Sequence, residues 1–336
     1  MHEVCYTRAM SSDRISPTSP ASAASLTPLF SQASYSRRFT LENLDIRGQV
    51  VRLGDAWHAL MNGRDYPADV TRYFGELACV AVFVGTGLKH AGRVTLQIQG
   101  ANINGTVDAV PKRSAKLAVV DCTHTLGLRG MASSGGDAHA TVAAEDKYQT
   151  GGFSEWVGGG TLAMTVANSD SGQMYQSIVP ISGLSVAECF EHYFDQSEQL
   201  PTHLWLAATP QGAGALMLQK LPGADTRDVD GWARMEMFAS SVTERELVGM
   251  PVDLLLKHLF AEEDVRLYEP KPVHSECKRD EEKVKNVLRS LGRAELESTL
   301  AEYGEVIVKD DMCNQEYRFD PAAIAALFDE ENSAKP

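Results

Sequence analysis

The 336-residue sequence contains no apolar run near the roughly 20 residues that a membrane-spanning helix requires. Its longest, Leu77 to Val84, is short and is followed by Gly85 and Gly87. No uninterrupted apolar segment near the N-terminus forms a signal-peptide core. Basic residues are also scarce: 31 Lys and Arg stand against 45 Asp and Glu, a formal net charge of -14. Phosphate recognition needs concentrated positive charge, so nucleic acid and anionic membrane are disfavoured as partners. An intact CxxC or CxC pair is missing as well. The six cysteines, Cys5, Cys79, Cys122, Cys189, Cys277 and Cys313, are too widely spread for a small disulfide scaffold, and a reducing cytoplasm fits them better. Gly158-Gly159-Gly160 lacks the terminal Lys and the strand–loop–helix setting of a phosphate loop, so it reads as a turn, and no nucleotide site is expected.

What is present is a chain long enough for two modest domains, with 43% hydrophobic residues to fill a core. Residues 1–35 are rich in Ser, Ala, Thr and Pro and read as a disordered tail, with Met10 as an alternative start. Arg8, Arg14 and Arg37 suit a transit peptide, whereas Glu3 and Asp13 oppose one. From 36 to 222 strand and helix signals alternate. Ile46 to Leu53 reads as a strand, residues 54–62 as a helix, and Pro67 opens a longer helix through Tyr73, Phe74, Leu77, Val80, Val84 and Leu88. Ala78, Ala81, Gly85 and Gly87 on that helix permit close packing. Val94, Leu96 and Ile98 alternate with Thr95, Gln97 and Gln99, the pattern of a half-buried strand. Further strands are expected at 116–121, 125–131, 161–167, 174–181, 202–209 and 214–221, with Pro180 marking an edge. Ser185 and Glu188 form a capping-box pattern before a helix ending at Glu198. Parallel βαβ repetition is absent, so the fold class is α+β.

Residues 223–272 are richer in charge and read as a helical linker, with helices near 227–240, 243–248 and 251–261. Residues 273–336 read as a small C-terminal helix–hairpin module: helices at 280–291 and 293–302, a hairpin with Val306, Val308, Tyr317 and Phe319, and a last helix from Pro321 to Phe328.

Several stretches resemble the redox-regulated heat-shock protein 33 (33 kDa chaperonin) family. They are Ile46 to Leu53, resembling the family's first strand; Gly75-Glu76-Leu77 through Gly100; Tyr193 to Thr202; Leu216 to Pro222; Phe260 to Val265; and Cys313 to Phe319. The resemblance covers residues 37–330. It implies an N-terminal α+β core, a helical linker and a C-terminal zinc module, and an ATP-independent holdase chaperone rather than an enzyme. Members are inactive when reduced and zinc-bound. Oxidation forms two disulfides, releases zinc and unfolds module and linker, after which the linker binds unfolding client proteins and homodimers are the active form.

The switch departs from the family pattern. Alignment on Val284 puts Cys277 at the first zinc cysteine and Arg279 at the second; alignment on Cys313-Asn314 puts Asp310 at the third and Cys313 at the fourth. Three readings stay open. Zinc is held by Cys277, Cys313 and Asp310, with His274 close in sequence, although structural zinc favours four thiolates or imidazoles. Alternatively, Arg279 and Asp310 form an ion pair in place of the metal, and Cys277 and Cys313 form one disulfide that is the remaining redox switch, activated by Lys278, Arg279 and Lys309. In the third reading both cysteines are inert and an apolar core suffices.

Client contacts are expected at Met235, Met237, Phe238, Leu254, Leu255 and Phe260, adaptable apolar residues whose other use is packing on the core sheet. Asp121-Cys122-Thr123-His124 offers a Cys and a His on one strand, read as a core cysteine beside a surface histidine. Glu188, Glu191 and Asp195 read as a solvated helix face, and Cys79 and Cys189 as buried packing residues. The competing functions are a thiol-disulfide exchange protein, which lacks a CxxC, a constitutively active chaperone without a redox switch, and a zinc-ribbon nucleic-acid binder, which the charge opposes.

Overall fold

The computed structural model describes residues 33–100, 115–134, 152–181 and 185–333. Most of the Ser- and Pro-rich tail therefore lies outside the described residues. Ser34 and Tyr35, assigned to that tail by composition, belong to the core. The Ser34 hydroxyl accepts the Gly54 and Ala56 amides, both at 2.9 Å, and Tyr35 opens strand β1 (Tyr35–Leu41). The stretch read as the first strand is thus the second, β2 (Ile46–Leu53), paired antiparallel with β1.

The chain continues through α1 (Asp55–Met61), α2 (Ala68–Gly87), β3 (Gly92–Gln99), β4 (Ala115–Thr123), β5 (Gly127–Ser134), α3 (Phe153–Val157), β6 (Thr161–Asn168) and β7 (Met174–Val179). Next come α4 (Val186–Glu198), β8 (Thr202–Thr209) and β9 (Gly212–Lys220). The linker contributes α5 (Ala224–Arg227), α6 (Gly231–Ala239), α7 (Glu244–Gly249), α8 (Val252–Leu259), β10 (Val265–Leu267) and β11 (Lys271–Pro272). The tail end holds β12 (His274–Ser275), α9 (Glu281–Leu291), α10 (Arg293–Tyr303), β13 (Val306–Asp310), β14 (Gln315–Phe319) and α11 (Pro321–Ser333).

Two six-stranded sheets form the core. One runs β10-β1-β2-β9-β8, with β11 also on β1; the other runs β12-β5-β4-β3-β6-β7. All described pairings are antiparallel except β12 on β5. The architecture is α+β, and β7, bounded by Pro180, lies at a sheet edge.

Helix α2 fixes the relation of the sheets. From Leu77 onward it carries no charge on any face, as a helix enclosed on all sides requires, and it packs against strands of both sheets. Gly75 lets it approach β8, since an added Cβ would overlap the Ala208 methyl group. Gly85 lets it approach β4, where a Cβ would stand 2.7 Å from the Cys122 sulfur. Gly87, also read as a packing glycine, faces open space. Cys79, Cys122 and Cys189 are buried, and burial pushes the Cys122 thiol up to about 12, while His124 is exposed; the pair is a core cysteine beside a surface histidine.

The expected helix 227–240 is broken. Asp228 accepts the Asp230 amide at 3.0 Å and so turns the chain between α5 and α6, a local bond that competes with helix propagation. Nor is the linker helical throughout, because β10 and β11 return to cover the β1 edge.

Candidate functional site

Hairpin β13–β14 pairs Asp310 with Gln315, so residues 311–314 form its turn, with Asn314 at φ 50°. Cys313 is carried in that turn and Cys277 in the segment after β12. A disulfide joins them, with Cα atoms 5.3 Å apart, within the ordinary span of such a bond. Gln315 reinforces the link by donating its Nε2 to the Cys277 carbonyl at 2.9 Å. Beyond it, Leu288, Leu296, Val306, Tyr317, Phe319, Ile324 and Leu327 form a small separate core.

The expected Arg279–Asp310 ion pair does not form among the described residues. The Asp310 carboxylate bends back into its own turn and accepts the Met312 and Cys313 amides at 3.0 and 3.3 Å, the local bonding favoured by a short acidic side chain. Arg279 places its guanidinium 4.5 Å from the centre of the Tyr317 ring and donates to the Glu316 carbonyl at 3.3 Å. That combination satisfies a cation at a partly solvated site through ring and carbonyl.

The same geometry does not fit zinc. The two sulfurs are bonded to each other, Asp310 is committed to its turn and Arg279 is a cation. His274 lies in β12, where its ring faces Glu276 at 3.2 Å. Among the described residues no three His, Cys, Asp or Glu side chains converge as a metal site.

The turn bearing Cys313 is clasped by the core. Arg64, in the loop between α1 and α2, donates from Nη2 to the Asp311 and Met312 carbonyls at 2.7 and 3.1 Å and from Nη1 to the Gly130 carbonyl at 2.7 Å. The Gly130 amide donates to the Met312 carbonyl at 3.3 Å, and Asn314 donates to the Asn62 carbonyl at 2.9 Å. Sequence reasoning missed Arg64, Asn62 and Gly130. The turn-forming Asn62-Gly63 pair was the available signal, and Gly63 does adopt φ 67° beside Asn314.

The linker is held by a different chemistry. Met235, Leu255 and Phe260 are buried in one cluster with Phe39, Ile46, Val50, Leu216 and Leu218 of the first sheet. Phe238 is half-buried against that cluster. Of the six expected client contacts, Met237 and Leu254 are the exposed ones, at 64% and 54%. Beneath α7 lies Arg52, buried on β2, which donates to the Glu246 and Met250 carbonyls at 2.8 and 2.6 Å and so closes the open end of that helix. Burial draws its guanidinium down to about 10. Glu76 on α2 is also buried. Desolvation pushes its carboxyl up to about 8, Arg72 pulls it down, and Glu244 of α7 adds a further push upward.

Core, docked linker and disulfide-closed module define an α+β protein in which a small terminal unit and an apolar linker are packed on one scaffold. The profile of the Hsp33 protein family matches residues 34–320. A 33 kDa chaperonin of Methylobacillus flagellatus is 36% identical over 293 residues, covering 87% of this chain and 93% of that one. One of Nitrosococcus oceani is 36% identical over 297 residues, covering 88% and 95%. The crystal structure of the 33 kDa chaperonin from Thermotoga maritima shares the fold, with a TM-score of 0.68 at 20% identity over 90% of this chain and 100% of that one. The chain belongs to the Hsp33 family, a family of chaperones; its relatives are named as chaperonins, not as enzymes. Among the described residues no helix is long and apolar enough to cross a membrane.

Proposed function

We propose that the protein is an ATP-independent holdase of the cytoplasm that binds unfolding proteins through its linker, without zinc or nucleotide, and acts as a homodimer. The observation that carries this reading is the linker itself: Met235, Leu255 and Phe260 are packed on the first sheet while Met237 and Leu254 face outward, so undocking adds the buried set to the apolar, Met-bearing side chains already exposed. Thermal loosening of that contact is the trigger.

The redox control is altered relative to the family's four-thiolate switch. Cys277 and Cys313 supply one couple, whose oxidation transfers two electrons to an oxidant such as peroxide and releases two protons. The linked form is the folded, docked one, so oxidation tightens the module and reduction loosens it, which adds the module's own small apolar core to the client surface. In a reducing cytoplasm the module is then held by its small apolar core and by Arg64, which suits an early response to heat.

Light scattering of a heat-denatured client, without nucleotide, tests this. Suppression of aggregation is expected, and it should be stronger for dithiothreitol-reduced than for oxidised protein. No suppression in either state would overturn the holdase reading; equal suppression in both would overturn the redox part alone.

A further inference from the structure

His203 sits on β8, the edge strand of the first sheet, between two carboxylates that come from different parts of the molecule. Its Nδ1 is 3.6 Å from Oε1 of Glu191 on the core helix α4, and its Nε2 is 3.4 Å from Oε1 of Glu236 on the linker helix α6. The ring stacks on Trp232 of α6, with centroids 5.5 Å apart and planes 21° from parallel, and Trp205 of its own strand flanks it at 6.1 Å. Glu191 is held in place because the same oxygen accepts the Leu204 amide at 2.6 Å. Across the strand pair His203 opposes Leu218, which carries no charge. Among the described residues the charged groups acting on the ring are Glu191 and Glu236.

A neutral imidazole has one N–H and one lone pair, whereas the imidazolium donates from both nitrogens. With a carboxylate at each nitrogen, only the charged form can serve core and linker together. In the neutral form one carboxylate faces a lone pair.

We propose that His203 is a proton-operated latch that ties α6 to the core when charged and loosens it when neutral. This deepens the holdase reading, since α6 belongs to the surface proposed to meet clients. The Glu191 carboxylate does most to raise the affinity of the ring for its proton, burial opposes it, and the charge of Glu236 adds to the rise. A histidine whose docked pKa lies above its free value contributes docking stability that is complete below the free value and is lost as pH rises through the docked one. Linker docking therefore weakens from acid toward alkaline pH. Ionisation of Glu76 opposite Glu244 acts in the same direction on α7 but does not involve His203, so a variant at 203 separates the two.

Hydrogen exchange of residues 231–239 in the full chain, at pH 6 and pH 8 and corrected for intrinsic rates, tests the latch without any client. In the wild type, α6 should lose protection at pH 8 by up to about tenfold for each pH unit separating the docked and free pKa values, beyond any change in β3. His203→Phe keeps an aromatic ring against Trp232 and should remove that α6-specific difference. Glu236→Gln changes only a partly exposed side chain and should at least halve it on a logarithmic scale. An α6 pH difference in His203→Phe equal to that of the wild type, or in Glu236→Gln if the first variant does not fold, would overturn the latch. That outcome would leave the holdase reading untouched, because aggregation suppression is read separately.

Discussion

Linker and C-terminal module are fastened to the same core by contrasting means. The linker lays Met235, Leu255, Phe260 and their neighbours on the first sheet over a broad apolar area, with Arg52 as a buried polar anchor. The module touches the core through backbone carbonyls gathered by Arg64 and through Asn314, and it is closed on itself by one covalent bond. Apolar docking answers to temperature, whereas a disulfide answers to redox state. On the function proposed above, these would be two triggers that need not act together.

The largest effect is expected at the covalent bond. Cys277 and Cys313 are 36 residues apart, and opening a loop of that length costs about 4 kcal/mol of stability on chain-entropy grounds. Cys313→Ser should accelerate thermolysin cleavage within 281–319 far more than within the linker. If linker and module open as one unit, the two rates will rise together and the contrast fails.

The next effect lies in the linker. Leu255→Ala removes a fully buried side chain and should cost about 3 kcal/mol, read from urea unfolding. Its neighbour Leu254 is 54% exposed, and Leu254→Ala should stay within about 0.5 kcal/mol. Equal costs would mean that the linker is not docked as described.

Arg64→Ala should be milder, about 2 kcal/mol, because it strips donors from backbone carbonyls that water can partly serve. Faster exchange of the Gly130 amide, which donates to Met312, would report release of the module, with α9 and α10 still protected. His203→Phe should be the smallest, and should show itself by lowering α6 protection more at pH 6 than at pH 8.

Much of the scaffold was legible in sequence because it depends on local patterns. Val94, Leu96 and Ile98 alternate as a half-buried strand must, and all three are buried in β3. Ser185 caps α4 by accepting the Glu188 amide at 3.1 Å, as its spacing suggested. The convergence of Cys277 and Cys313 was legible through the family resemblance, and the structure joins them. The Arg279–Asp310 pair was misjudged because opposite charges at one locus do not compel a bond when an aromatic face and a turn amide lie nearer. Arg64, Arg52 and the Glu191–His203–Glu236 cluster were invisible for another reason. Their partners are backbone carbonyls or side chains distant in the chain, and Glu191 in particular carried the spacing of an ordinary solvated face.

The most direct test is native-state hydrogen exchange of the full, metal-free chain with and without dithiothreitol. Reduction should lower protection across α9, α10 and the β13–β14 hairpin by orders of magnitude while β3 and β4 stay unchanged. Protection of 281–319 that is the same in both states would contradict a module closed by the Cys277–Cys313 bond.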